Sequence, residues 1–121
     1  MTGLIVFAHG SSVPEANEAV KRVSAAMQAK GGFEFVETAF LEAAKPDLAD
    51  AVAALAIKDV DRVVVLPYFL TLGIHLRRDL PRIVAELAEK HNGLRIDVTE
   101  PLDGHPALAE ILLQRATAAL Q

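Results

Sequence analysis

Three residues carry the chemistry that this chain of 121 residues can support: His9, Glu42 and His75. Two imidazoles and one carboxylate form an incomplete ligand set for a borderline divalent ion such as Fe, Co, Ni or Zn. Such a set leaves coordination positions open, as a catalytic site does and a structural site does not. A neutral imidazole also accepts a proton near pH 7. Taken singly, each has an ordinary explanation. His9 would be a satisfied histidine at a strand end, Glu42 a solvated first-turn carboxylate, and His75 a loop residue. Their shared position in the pattern of elements gives them weight together.

The elements that must position them read as follows. Leu4 to Ala8 is an apolar run with the length and Val/Ile/Phe content of a strand buried on both faces, and it stops at His9-Gly10-Ser11-Ser12. A helix is expected from Val13 to Lys30, with Ser12 as N-cap, Glu15 completing a capping box and Pro14 in the first turn. Phe33 to Phe40 alternates apolar and acidic residues, which suits an edge strand. Pro46 fits the start of a second helix running to Ile57, with Asp47 near its positive end. Arg62 to Tyr68 holds three consecutive valines and reads as a central strand whose hydrogen bonding ends at Pro67. A long connection through Gly73 and His75 is expected before a third helix from Pro81 to Lys90. Leu94 to Thr99 is the fourth strand, and His105-Pro106 opens a last helix to Leu120.

The order βαβαβαβα implies a parallel sheet with right-handed crossovers. With the polar strand at an edge and the two apolar strands central, the strand order is 2-1-3-4. The expected fold is a three-layer α/β/α domain with a four-stranded parallel sheet and flavodoxin-like topology, one domain over residues 1–121. Its switch point lies between strands one and three, and ligands of such sheets bind outside the carboxyl ends there. His9, Glu42 and His75 follow the first three strands, so all three emerge at that edge.

Composition narrows the partners. The chain is 52% hydrophobic and 23% charged, a globular balance. Aromatics are 5% with no Trp, and the net charge is -4, which argues against nucleic acid and anionic membranes as partners. The absence of cysteine excludes a disulfide scaffold, a thiolate metal site and a Cys nucleophile. No apolar run approaches the roughly 20 residues that span a bilayer. A cytoplasmic protein is expected. Arg77, Arg78, Arg82 and Lys45 bring positive charge to the site edge, where guanidinium geometry suits carboxylates of an anionic ligand. The apolar loop Tyr68 to Ile74 offers a wall for a flat ligand. His91 and His105 read as helix-end residues.

The ordered pieces Ala8-His9-Gly10-Ser11-Ser12 with Asn17, Ala39-Phe40-Leu41-Glu42 with Pro46, Leu66-Pro67-Tyr68-Phe69-Leu70, Gly73-Ile74-His75 with Asp79-Leu80-Pro81, and Pro101-Leu102 with His105-Pro106 resemble the class II chelatase family. They span almost the whole chain. The resemblance implies a chelatase fold and ATP-independent insertion of a divalent metal into sirohydrochlorin, with Co²⁺ foremost and Fe²⁺ or Ni²⁺ as alternatives, in cobalamin or related tetrapyrrole biosynthesis. It implies that the metal is substrate and that no cofactor is bound permanently. Carried over by position, His9 and His75 match the family's paired active-site histidines and Glu42 its acid. Ser11, Ser12, Arg77 and Arg78 are then the candidates for holding substrate. Larger members contain two such domains in tandem, so a short chain is expected to be a homodimer.

Two other readings compete. Histidine phosphatases also place His-Gly after a first strand, but there the histidine follows an arginine, and Ala8 occupies that position here. A non-catalytic tetrapyrrole or metal carrier would need the same residues without turnover.

Overall fold

A computed structural model describes residues 1–121. The elements alternate as expected: β1 (Thr2–Ala8), α1 (Pro14–Gly31), β2 (Phe35–Phe40), α2 (Leu48–Ala56), β3 (Arg62–Pro67), α3 (Ile74–Lys90), β4 (Arg95–Val98) and α4 (Ala107–Ala119). The four strands form one parallel sheet in the order β2-β1-β3-β4. Burial explains that order. Leu4 to Ala8 is buried residue by residue, as a central strand demands, while β2 buries only Ala39 and Phe40 and takes an edge.

The alternation of side chains divides β1 between two layers. Ile5 and Phe7 join Val63 and Val65 of β3 in the main core, under Leu48, Val52 and Leu55 of α2 and Leu80, Val84 and Leu87 of α3. Most of these side chains are almost fully enclosed, each worth about 1.5–3 kcal/mol of burial. Leu4 and Val6 face the other layer, together with Thr38, Val64 and Leu66 in register. There α1 is pinned to β2 by a 2.7 Å hydrogen bond between the Ser24 and Thr38 hydroxyls. Ser24 is the only buried residue of α1. None of the residues of α4 is buried.

Several boundaries depart from expectation. The largest shift is in α3, which begins at Ile74 and encloses Pro81 in its interior. An interior proline forfeits a backbone hydrogen bond and crowds the preceding turn, at about 3 kcal/mol. The helix continues because its apolar stripe does: Leu76, Leu80, Ile83, Val84 and Leu87 recur at helical spacing on both sides of Pro81, and all pack on the core. His75 is therefore a helical residue, and the connection after β3 is short.

The capping of α1 also differs. Its N-cap is Val13 with no side-chain bond, so neither Ser12 nor Glu15 forms the expected box. A capping box is present instead on α2, where Asp47 accepts from the Asp50 N–H at 2.9 Å and Asp50 accepts from the Asp47 N–H at 3.2 Å. That makes Asp47 the N-cap and leaves Pro46 outside the helix. Smaller shifts put the start of β2 at Phe35 and of α4 at Ala107. Pairing of β3 with β1 extends past Pro67, since Tyr68 N–H donates to the Phe7 carbonyl at 2.7 Å.

Candidate active site at the carboxyl edge of the sheet

β1 ends at Ala8 and delivers His9 to the carboxyl edge, yet its pairing with the β2 side does not stop there. Leu41 N–H donates to the Ala8 carbonyl at 2.9 Å and Glu42 N–H to the His9 carbonyl at 3.0 Å. These two bonds set Glu42 alongside His9, and the side chains meet, His9 Nε2 lying 2.7 Å from Glu42 Oε1. Gly10 makes the approach possible. Its φ of 91° favours glycine, and a Cβ there would fall on the Glu42 carbonyl oxygen.

The turn after Gly10 is tied from below by α1. Asn17 Oδ1 accepts from the Ser11 N–H at 2.9 Å, and Asn17 Nδ2 donates to the Ser11 carbonyl at 2.8 Å. Ser11 Oγ accepts from the Val13 N–H at 3.0 Å, while Ser12 is exposed. Ser11 thus shapes the turn from its interior, and Asn17 ties it to α1.

His9 and Glu42 are 61% and 64% exposed at their side chains. A solvated pair of this kind adds at most about 1 kcal/mol to stability. Its consequence is orientation: the contact turns the Nε2 edge of the His9 ring toward the carboxylate.

A cavity of about 470 Å³ opens beside His9. Leu41 and Phe69 line it together with Ile74, His75 and Asp79 of α3. The His9 ring meets Phe69 edge-on, with centroids 6.2 Å apart, and Phe69 in turn packs on Phe7 at 5.8 Å. The expected apolar wall is therefore split. Phe69 and Leu72 lean on the core, whereas Ile74 and Leu70 are exposed. The wall is braced from behind, since Leu102 and Asp103 N–H groups donate to the Phe69 and Leu70 carbonyls at 2.9 and 2.8 Å.

His75 sits in the first turn of α3, where Gly73 is the N-cap without a side-chain bond. Arg78 reaches back toward it, Nη2 lying 3.5 Å from His75 Nδ1. Arg78 is itself held by Asp79, through Nε to Oδ1 at 2.9 Å and Nη2 to Oδ2 at 3.4 Å. The hydrogen bond from Arg78 holds the Asp79 carboxyl below its ordinary value, and the same bond raises the Arg78 guanidinium. Arg82 pairs with Glu86 at 3.3 Å, and Lys45 with Asp47 at 3.1 Å. Of the four basic residues expected at this edge, Arg77 alone has no ion-pair partner. It lines a second, polar cavity with Thr71, Thr99, Glu100 and Asp103.

The structure thus brings His9 into contact with Glu42 and puts His75 on the same cavity as His9. No three histidines or carboxylates lie close enough to enclose an ion. His91 caps the end of α3, and His105 Nδ1 accepts from the Ala107 N–H at 3.0 Å, so both serve helix ends. Asp79 belongs to the Asp79-Leu80-Pro81 piece of the family resemblance but had no site role there, and the structure puts it on the cavity. It lies four residues after His75, one helical turn away, a signal readable only once α3 is known to begin at Ile74.

Fold and site together define a class: a four-stranded parallel α/β domain that carries an imidazole–carboxylate pair at the end of its first strand, opening on an apolar cavity at the carboxyl edge. A model of the CbiX family matches residues 3–119, and the chain belongs to that family. It is 31% identical to the sirohydrochlorin cobaltochelatase of Methanopyrus kandleri, over 99% of this chain and 98% of that protein. It is 33% identical to the chloroplastic sirohydrochlorin ferrochelatase of Arabidopsis thaliana, over 93% of this chain but 50% of that protein. Among solved structures, a cobalamin (vitamin B12) biosynthesis CbiX protein from Marinobacter aquaeolei superposes with a TM-score of 0.85 at 28% identity, over 99% of this chain and 98% of that one. The sirohydrochlorin chelatase SirB of Bacillus subtilis subspecies spizizenii, in complex with cobalt, shares the fold at a TM-score of 0.88 and 20% identity, over 97% of this chain and 50% of that one.

Proposed function

We propose that this protein, as one chelatase-like domain over residues 1–121, inserts a divalent metal into sirohydrochlorin without ATP, with Co²⁺ as the physiological metal. The observation that carries the reading is the 2.7 Å contact between His9 Nε2 and the Glu42 carboxylate, beside an apolar cavity that also holds His75. Insertion replaces two pyrrole N–H protons by one M²⁺, so the site must accept two protons and hand over an ion. Neutral imidazoles do both. Glu42, beside His9 Nε2, offsets the charge of the incoming ion, and His75 serves from the α3 side. The cavity wall of Leu41, Phe69 and Ile74 receives the macrocycle.

Peripheral carboxylates of the substrate meet cations at the rim. Arg77, free of any internal carboxylate, is the first of these. Arg78 contributes a second charge while it keeps His75 in place, and Ser11 and Ser12 border the substrate on the β1 side. The protein works in the cytoplasm as a homodimer; no helix is long and apolar enough to cross a membrane.

The test mixes purified protein with sirohydrochlorin and Co²⁺, Fe²⁺ or Ni²⁺ in turn and follows the visible spectrum against a protein-free control. Multiple turnovers, fastest with Co²⁺, are expected. A stoichiometric spectral change without acceleration would identify a carrier instead, and a faster reaction with Fe²⁺ or Ni²⁺ would reassign the metal.

A further inference from the structure

The cavity beside His9 continues past its own wall. Two of its lining residues, Leu41 and Ile83, also line a smaller hollow of about 200 Å³ between the start of α2 and α3. The floor of that hollow is core, since Phe7, Phe40, Leu48 and Leu80 are all buried. Protein interiors are close-packed and leave few voids larger than a water molecule. A hollow walled by such side chains is therefore space that an apolar group can fill. Its one polar lining residue is Asp47, whose carboxylate is already engaged by the Asp50 N–H and by Lys45. No cation lines it. Another flank of the main cavity differs, for there Thr71 is shared with the polar hollow that holds Arg77.

The periphery of sirohydrochlorin is uneven in the same way. Acetate and propionate arms surround the ring, and methyl groups stand on neighbouring reduced rings at one edge. A carboxylate arm entering the α2 hollow would lose its water, meet no free donor and face Asp47, which is costly. A methyl group gains by leaving water there. We propose that this hollow, entered past Leu41 and Ile83, is the subsite for the methyl-bearing edge of the macrocycle. It orients the ring over His9 and His75 and selects the methylated substrate. The inference rests on the sirohydrochlorin reading above and adds the orientation.

Ala49, exposed in the first turn of α2, is the position from which the hollow can be filled without touching the core. Metal-free sirohydrochlorin is titrated with protein and followed by its own fluorescence, so that binding is read without turnover. Uroporphyrin III, which has the same arms and no ring methyls, is titrated in parallel. The wild type is expected to bind sirohydrochlorin about 10-fold or more tightly than uroporphyrin III, the discrimination one small apolar group gives in such a pocket. Ala49→Leu and Ala49→Met should each abolish that preference by weakening sirohydrochlorin alone. Both are good helix formers at an exposed position, so wild-type thermal midpoints are expected. Ala85→Leu, exposed on α3 and outside the hollow, should keep the preference. Equal affinity of the wild type for both macrocycles overturns the subsite and leaves the sirohydrochlorin reading standing, as does a preference that survives both substitutions at Ala49. A wild type that binds neither macrocycle overturns that reading and the subsite with it.

Discussion

The two walls of the cavity are held by different means. On the β1 side His9 and Glu42 are placed by backbone: two ladder-like hydrogen bonds beyond the strands, a positive-φ glycine and the Asn17 clamp fix where both residues leave the chain. On the α3 side His75 is placed by a helix start with no side-chain cap and by two side chains, exposed Arg78 and half-buried Asp79, that lean on one another. Backbone placement tolerates loss of a side chain and fails when the backbone changes. Side-chain placement does the reverse. The contrast separates residues that do chemistry from residues that aim them, and it can be broken at four points.

The largest effect is expected at the imidazoles. His9→Ala and His75→Ala should each lower the rate of metal insertion about 10²–10⁴-fold, the range of a lost general base, with little change in the urea midpoint. Initial rates of sirohydrochlorin metallation measure it, and full activity in both variants would remove the pair from the mechanism. Gly10→Ala comes next. A Cβ forced onto the Glu42 carbonyl at positive φ should cost about 2 kcal/mol or more in urea unfolding and reduce activity as well, because Glu42 is pushed from His9. A variant of native stability would show that the turn relaxes freely.

Glu42→Gln separates orientation from stability. The shape is kept and the exposed ion pair contributes little, so the unfolding free energy should move by less than about 1 kcal/mol while insertion slows at least tenfold. Equal activity would make Glu42 a bystander.

The smallest effect belongs to Asp79→Asn, which should raise KM or slow insertion by less than tenfold through a loosened Arg78 and His75. Its stability effect has a defined pH window. The Asp79 carboxyl is depressed in the folded protein, so its contribution is complete above the unfolded carboxylate value of about 3.9 and is lost as pH falls through the depressed value. Wild type and variant should therefore converge in thermal midpoint once the pH has fallen below that depressed value. A difference that persists in acid would assign the effect to packing.

Much of the architecture was legible because it follows from composition along the strands. The three valines of β3 and the apolar run of β1 demanded the centre, and the acidic alternation in β2 demanded an edge. What misled was local punctuation. Pro81 looks like a helix start, and only the stripe from Leu76 to Leu87 shows that burial outweighs the broken hydrogen bond. Ser12 and Glu15 have the spacing of a capping box, but Ser11 and Asn17 close the turn first, and the box that forms uses two aspartates at Asp47 and Asp50. The convergence of His9, Glu42 and His75 on one edge was readable from parallel topology. The direct contact between His9 and Glu42 was not, since it depends on pairing that continues past both strands and on the space left by Gly10. Asp79, quoted only within a motif, gained its place on the cavity once α3 was seen to begin at Ile74.

The two hydrogen bonds from Leu102 and Asp103 to the Phe69 and Leu70 carbonyls join the segment that leads into α4 to the segment that faces the cavity. They make one mechanical part of what the chain order separates. The approach to the last helix and the ring packed against His9 are thereby held by one connected stretch of backbone.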